Sequence, residues 1–173
     1  ANNDKVGVIL FSDKIEKFIP AKKGKTHVLH IIRELLSFEP TSKGTDIAQA
    51  LQYFANAQKR HCTAFLISDF IGSGAMYQPL MIASNRHEVN AIQIYDHREA
   101  ELPNVGLVKF HDAETGNDMW VDTAITAVRN NYAQAWRNNQ DEIQQLFTRT
   151  GVDYVSIRTD EDYVKALMHL FRC

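Results

Sequence analysis

The chain has 173 residues, 45% of them apolar and 23% charged, with a formal net charge of -2 at pH 7. This is the make-up of a soluble globular domain with room for a core, and it gives no electrostatic ground for binding nucleic acid or a membrane surface. No apolar run reaches the roughly 18 residues that span a bilayer; the two cysteines, Cys62 and Cys173, are too few for a disulfide framework or a CxxC zinc site, so a reducing, cytoplasmic setting is expected.

Lys5 to Phe11 is a nearly continuous apolar run, which predicts a strand covered on both faces. Ser12-Asp13-Lys14 turns the chain, and Ile15 to Ile19 predicts a return strand stopped by Pro20, the pair forming a hairpin at one edge of the sheet. From Thr26 to Phe38, Val28, Leu29, Ile31, Ile32, Leu35 and Leu36 recur at helical spacing until Pro40 and the Thr41 to Gly44 loop. A second helix puts Ile47, Ala50, Leu51, Phe54 and Ala57 on one face, with Thr45 placed as its N-cap. Thr63 to Ile67 predicts a buried strand ending at Ser68-Asp69, followed by the Gly72-Ser73-Gly74 loop, a helix over Tyr77 to Arg86 and a strand over Val89 to Tyr95.

The alternation then breaks. Val105 to Phe110 and Met119 to Val121 flank the turn-forming Asp112 to Asn117 segment, a hairpin pattern. A long amphipathic helix is expected from about Ala124 to Arg149, stopped by Gly151. Val152 to Ile157 predicts a last strand. Thr159 and Asp162 approximate a capping box for a final helix carrying Tyr163, Val164, Leu167, Met168 and Phe171. Strands alternating with helices imply an α/β fold, a mostly parallel Rossmann-like sheet with helices on both faces, one antiparallel edge strand and an inserted β-hairpin. We expect one domain over residues 1–173; an apolar run begins at once with no Met before it, as in a processed protein or a fragment of a longer chain, and the resemblance described below implies an N-terminally incomplete domain.

Ligands of such sheets sit beyond the carboxyl ends of the strands. Asp13, Asp69, Asp96 and Asp160 each follow an apolar strand there. Four carboxylates suit a hard cation, and with it a metal-dependent phosphoesterase or nuclease; the same residues are also ordinary turn formers and caps. No nucleophile, general base or triad-like grouping accompanies them.

Two segments are more specific. Gly44-Thr45-Asp46-Ile47-Ala48-Gln49-Ala50-Leu51, followed downstream by Leu66-Ile67-Ser68-Asp69-Phe70, resembles the von Willebrand factor A (vWA) fold, and Val6 to Asp13 is similar to its second strand. Phe11 to Glu16, Thr63 to Phe70, Leu102 to Gly106 and Asp112 to Gly116 narrow the resemblance to the bacterial DUF fifty-eight family, across essentially the whole chain. The resemblance implies a cytoplasmic vWA-like interaction module working with MoxR-type AAA+ ATPases. It also implies a metal-ion-dependent adhesion site for Mg²⁺ or Mn²⁺ in which Thr45 and Asp69 are two of three elements. The third, Asp-x-Ser-x-Ser, occurs nowhere in the sequence; by resemblance it belongs to a central strand preceding Ala1. Two ligands alone are expected to hold a divalent ion poorly. Without that central strand, the strands near Lys5 to Phe11 and Thr63 to Ser68 are expected to pair directly or to form a dimer across the gap.

Other features read more plainly. His27 and His30 share a helix face without an acid or Cys to complete a metal site. Cys62 beside His61 reads as a packed thiol. Gly72-Ser73-Gly74 lacks the Lys-Ser/Thr of a phosphate loop, Lys22-Lys23-Gly24-Lys25 is a solvated loop, and Trp120, Tyr132 and Trp136 read as core or hairpin cover. A structural domain with a vestigial metal site is the third functional reading, beside the interaction module and the enzyme.

Overall fold

The computed structural model describes residues 4–71, 75–111 and 116–171. The chain divides into two compact units, residues 1–59 and 60–173.

In the first unit, β1 (Val6–Phe11) and β2 (Ile15–Lys22) form an antiparallel two-stranded sheet, with α1 (Lys25–Ser37) and α2 (Ile47–Ala57) following. The return strand does not stop at Pro20. It continues to Lys22 because the register shifts between Val6 and Val8, which pair with Lys22 and Ile19. Such an irregularity accommodates a residue that has no N–H to give to the ladder. Gly7 lies in it, and a Cβ there would stand 2.8 Å from both the Ala21 nitrogen and the Ile19 oxygen. The backbones therefore meet more closely than any side chain permits. Buried Ile19, Ile31, Ile47, Ala50, Leu51 and Ala55 make the core, and Phe18 meets Tyr53 edge-on at 5.8 Å. Polar contacts fix α1 on the strands: a His27 ring nitrogen lies 2.9 Å from the Val6 carbonyl, and Lys17 pairs with Glu34.

The second unit holds β3 (Thr63–Ser68), α3 (Tyr77–Ser84), β4 (Glu88–Tyr95), α4 (His97–Ala100), β5 (Leu107–His111), β6 (Asp118–Asp122), α5 (Thr126–Thr150), β7 (Asp153–Arg158) and α6 (Tyr163–Leu170). Its main sheet is parallel in the order β3-β4-β7, and β5-β6 is a separate antiparallel hairpin. Central β4 is buried from Val89 through Gln93, the continuous pattern of a parallel strand covered on both faces. On one face Ile92 and Ile157 pack with Leu170 and Leu167 of α6; on the other Phe147 of α5 stacks on Tyr154, ring centroids 4.9 Å apart. Buried Thr123 joins the hairpin to α5, donating to the Gly106 carbonyl at 2.7 Å and accepting the Val105 N–H at 3.0 Å. The long helix ends at Gly151, φ 66°, with the Val152 N–H on the Phe147 carbonyl, a left-handed C-cap.

Two expectations are corrected. Asp46, not Thr45, caps α2: its carboxylate accepts the Gln49 N–H at 2.9 Å, while Thr45 lies one residue outside. Asp162, not Thr159, caps α6 by accepting the Val164 N–H, because the helix begins only at Tyr163 and Thr159 lies three residues before the cap position. Among the described residues, β1 is paired with β2 and β3 with β4. The expected Gly72-Ser73-Gly74 loop, the tip of the β5–β6 turn and Cys173 lie outside the described residues.

Candidate functional site

Thr45 stands in the loop between α1 and α2, and that loop is built on the β1–β2 turn. The Glu16 carboxylate accepts the Thr41 hydroxyl at 2.7 and 2.9 Å, the Thr41 N–H at 3.1 Å, the Ser42 N–H at 3.2 Å and the Ser12 hydroxyl at 2.8 Å. The Thr41 hydroxyl is the largest influence holding Glu16 below the usual carboxylate range, helped by Ser12, the Ser42 N–H and the charge of Lys14 and opposed by desolvation. At the other end of the loop the Asp46 N–H donates to the Ser12 carbonyl at 2.8 Å. Between these anchors Gly44 passes Asp13 closely enough that a Cβ would touch the Asp13 Cβ at 3.4 Å. Thr45 is exposed on this anchored loop.

Asp69 stands just past the carboxyl end of β3, in a turn with unusual backbone. Phe70 has φ 57°, a left-handed conformation that L residues other than Gly, Asn and Asp rarely take, and its side chain is 0% exposed. The Phe70 N–H donates to the Ser68 hydroxyl oxygen at 3.1 Å and the Ile71 N–H to Asp69 Oδ1 at 3.1 Å. The Ser68 hydroxyl also lies 3.3 Å from Asp69 Oδ1. The Asp69 carboxylate is thus exposed, with one oxygen engaged by its own turn.

Beneath the turn lies a residue that the sequence reading passed over. Gln93 of β4 is 1% exposed. Its Nε2 donates to the Asp69 carbonyl at 2.9 Å, while its Oε1 accepts the Tyr154 hydroxyl and, at 2.9 Å, the Ser156 hydroxyl. Two amides inside an otherwise apolar strand, Asn90 and Gln93 in Val89-Asn90-Ala91-Ile92-Gln93-Ile94, were the available signal, since a buried amide is costly unless bonded.

The remaining candidates have local partners. Asp96 caps the short α4, accepting the Arg98 N–H at 2.8 Å while Glu99 accepts the Asp96 N–H at 3.0 Å. Asp160 pairs with Arg158 at 2.5 Å, and that hydrogen bond holds its carboxyl below the ordinary range. Asp13 lies 3.3 Å from the Ser12 hydroxyl. His30 stands 3.7 Å from Glu34, and His27 serves Val6. Cys62 is partly buried with its Sγ 3.7 Å from His87 Nδ1, and burial pushes the thiol up, away from the nucleophilic thiolate. Trp136 packs on Tyr95 at 5.3 Å, but Trp120 is 64% exposed on β6 and so is no part of a core.

Thr45 and Asp69 lie in different units, and the structure gives each its own support. Together they offer one carboxylate and one hydroxyl, whereas Mg²⁺ requires about six oxygen ligands and tolerates few substitutes for them. Among the described residues no group of three or more His, Cys, Asp and Glu is placed to hold a metal.

Comparison with known proteins agrees with the fold. A family model described as "Protein of unknown function DUF58" matches residues 1–142. Uncharacterized protein Rv1480 of Mycobacterium tuberculosis is 29% identical over 165 residues, 93% of this chain and 51% of its own length. Uncharacterized protein MAV169 of Mycobacterium avium is 28% identical over 158 residues, 89% of this chain and 92% of its own length. This chain therefore spans about half the length of the first of these relatives. Among solved structures, an aerotolerance-related membrane protein from Bacteroides fragilis superposes with TM-score 0.57 at 16% identity, over 100% of this chain and 82% of that one. The conserved hypothetical protein BatB from Bacteroides thetaiotaomicron gives 0.55 at 15%, over 98% and 78%. At such identities the likeness is one of fold. No helix among the described residues is long and apolar enough to cross a membrane. With its mixed α/β architecture and a match over most of its length, the chain belongs to the DUF58 family and is vWA-like in fold.

Proposed function

We propose that this chain is a protein–protein interaction module of vWA type, presenting an adhesion site to a protein partner, with a MoxR-type AAA+ ATPase as the partner class. The observation that carries the reading is the Asp69 turn: an exposed carboxylate at the carboxyl end of a parallel strand, its backbone held from below by a buried amide. That is where ligands of open α/β sheets bind. Thr45, exposed on a loop anchored by Glu16, supplies the second element. Mg²⁺ or Mn²⁺ would add a Lewis-acidic centre for a partner carboxylate. In this chain Asp69 would offer an oxygen and Thr45 a hydroxyl. The setting we propose is cytoplasmic.

The test is a binding measurement between a DUF58 protein of the relatives' full length and the MoxR-type ATPase of the same organism, in Mg²⁺ and in EDTA. Binding that needs Mg²⁺ and weakens at least about tenfold with Asp69→Ala supports the reading. Equal binding in EDTA, or with Asp69→Ala, refutes it.

A further inference from the structure

Phe70 is held in a backbone conformation unfavourable for Phe, in the residue next to the exposed Asp69 carboxylate. Such residues persist only where their surroundings over-determine them. Here the contacts close a ring. Gln93 Nε2 bonds the Asp69 carbonyl, and Gln93 Oε1 takes the Tyr154 hydroxyl. The Tyr154 ring stacks on Phe147 at 19° between planes, and Phe147 meets Phe70 edge-on with centroids 5.2 Å apart. Phe70 adjoins Asp69, so the turn is gripped twice, at a carbonyl by an amide and at a ring by a ring. The amide's orientation follows from its partners: only Nε2 can donate to a carbonyl, and only Oε1 can accept two hydroxyls. An apolar residue at position 93 would fill the strand at less cost in desolvation, but it would leave the Asp69 carbonyl without this donor.

We propose that Gln93 is a positioning residue for the Asp69 turn: with the Tyr154, Phe147 and Phe70 rings it fixes the left-handed step after Asp69, so the direction of the Asp69 carboxylate is set before any ligand arrives. A preorganised group spends no ordering entropy on binding. The link to ligand binding rests on the interaction-module reading above; the geometry of the turn does not.

The test is amide hydrogen exchange of this chain, resolved by residue. In Gln93→Met combined with Tyr154→Phe and Ser156→Ala, the polar cluster is replaced by apolar groups of similar shape, so no buried hydroxyl is stranded. Exchange at Phe70 and Ile71 is expected to rise about tenfold while Ala91 to Ile94 keep wild-type protection. Gln93→Glu gives a second arm. Its protonated acid can still donate to the Asp69 carbonyl and its carboxylate cannot, so protection of Ile71, corrected for intrinsic exchange, is expected to fall with rising pH in this variant and not in wild type. Wild-type protection of Phe70 and Ile71 in the triple variant, or no such pH dependence in Gln93→Glu, overturns the assignment. Neither measurement involves a ligand, so the positioning role and the ligand role of Asp69, read by Asp69→Ala in the binding assay, fail separately.

Discussion

Replacing Asp46 by Ala removes the carboxylate that accepts the Gln49 N–H at 2.9 Å. That bond satisfies one of the four N–H groups with no partner inside the first turn of α2. Loss of an Asp cap costs about 1 kcal/mol, within a range of roughly 0.5–2. With a urea m-value of about 2 kcal/mol/M, a 1 kcal/mol loss lowers the denaturation midpoint by about 0.5 M. Thr45→Ala is expected to leave the midpoint within about 0.25 M of wild type, since an exposed residue outside the cap changes stability by no more than about 0.5 kcal/mol. Urea unfolding followed by far-ultraviolet circular dichroism, with all three proteins measured together, decides it. A drop for Thr45→Ala with none for Asp46→Ala refutes the cap assignment. The distinction matters for function: with the cap at Asp46, Thr45→Ala can test ligand binding without a folding defect.

Gly7→Ala forces a Cβ to 2.8 Å from two backbone atoms of β2 and is expected to destabilise the first unit by about 1–3 kcal/mol, read from the same urea curves. Gly151→Ala meets open space but must take φ 66°, so a loss of about 1 kcal/mol is expected, smaller with Gly151→Asn. Glu16 is held below its ordinary 4.5, so its bonds contribute stability above pH 4.5 that is lost as pH falls through the lowered value. Glu16→Gln should flatten that acid limb in denaturation midpoints taken from pH 6 to pH 3, and an unchanged slope contradicts the assignment. Titration calorimetry of this chain with Mg²⁺ or Mn²⁺ is expected to show weak binding, with a dissociation constant well above the order of 10 μM; tight one-to-one binding would reveal a ligand set other than Thr45 and Asp69.

Much of the fold was legible because its elements carry the patterns that burial demands. Apolar runs marked β1, β3 and β4, and helical spacing marked α1, α2 and α5, each to within a few residues. What failed were choices between adjacent residues of similar chemistry. Thr45 and Asp46 both suit a cap, and only the backbone decides which side chain reaches the Gln49 N–H. Pro20 looked like a stop because the register shift that admits it depends on the partner strand. The short α4 was missed although Asp96 and Glu99 spell a capping box. At the candidate site Asp69 was found by motif. Its support was not, since nothing local in the sequence marks Phe70 as left-handed, and Gln93 lies 24 residues away.

The central proposal is that the Asp69 carboxylate and the Thr45 hydroxyl are each needed for Mg²⁺-dependent binding of a protein partner. A double-mutant cycle of Thr45→Ala and Asp69→Ala, measured as Mg²⁺-dependent binding of a protein of the relatives' full length to the proposed MoxR-type ATPase, tests this most directly. The account predicts that each single substitution weakens binding at least about tenfold and that the double variant binds no more weakly than the worse single one, because an ion once lost leaves nothing further to lose. Additive losses, or a wild-type affinity in either single variant, would contradict it.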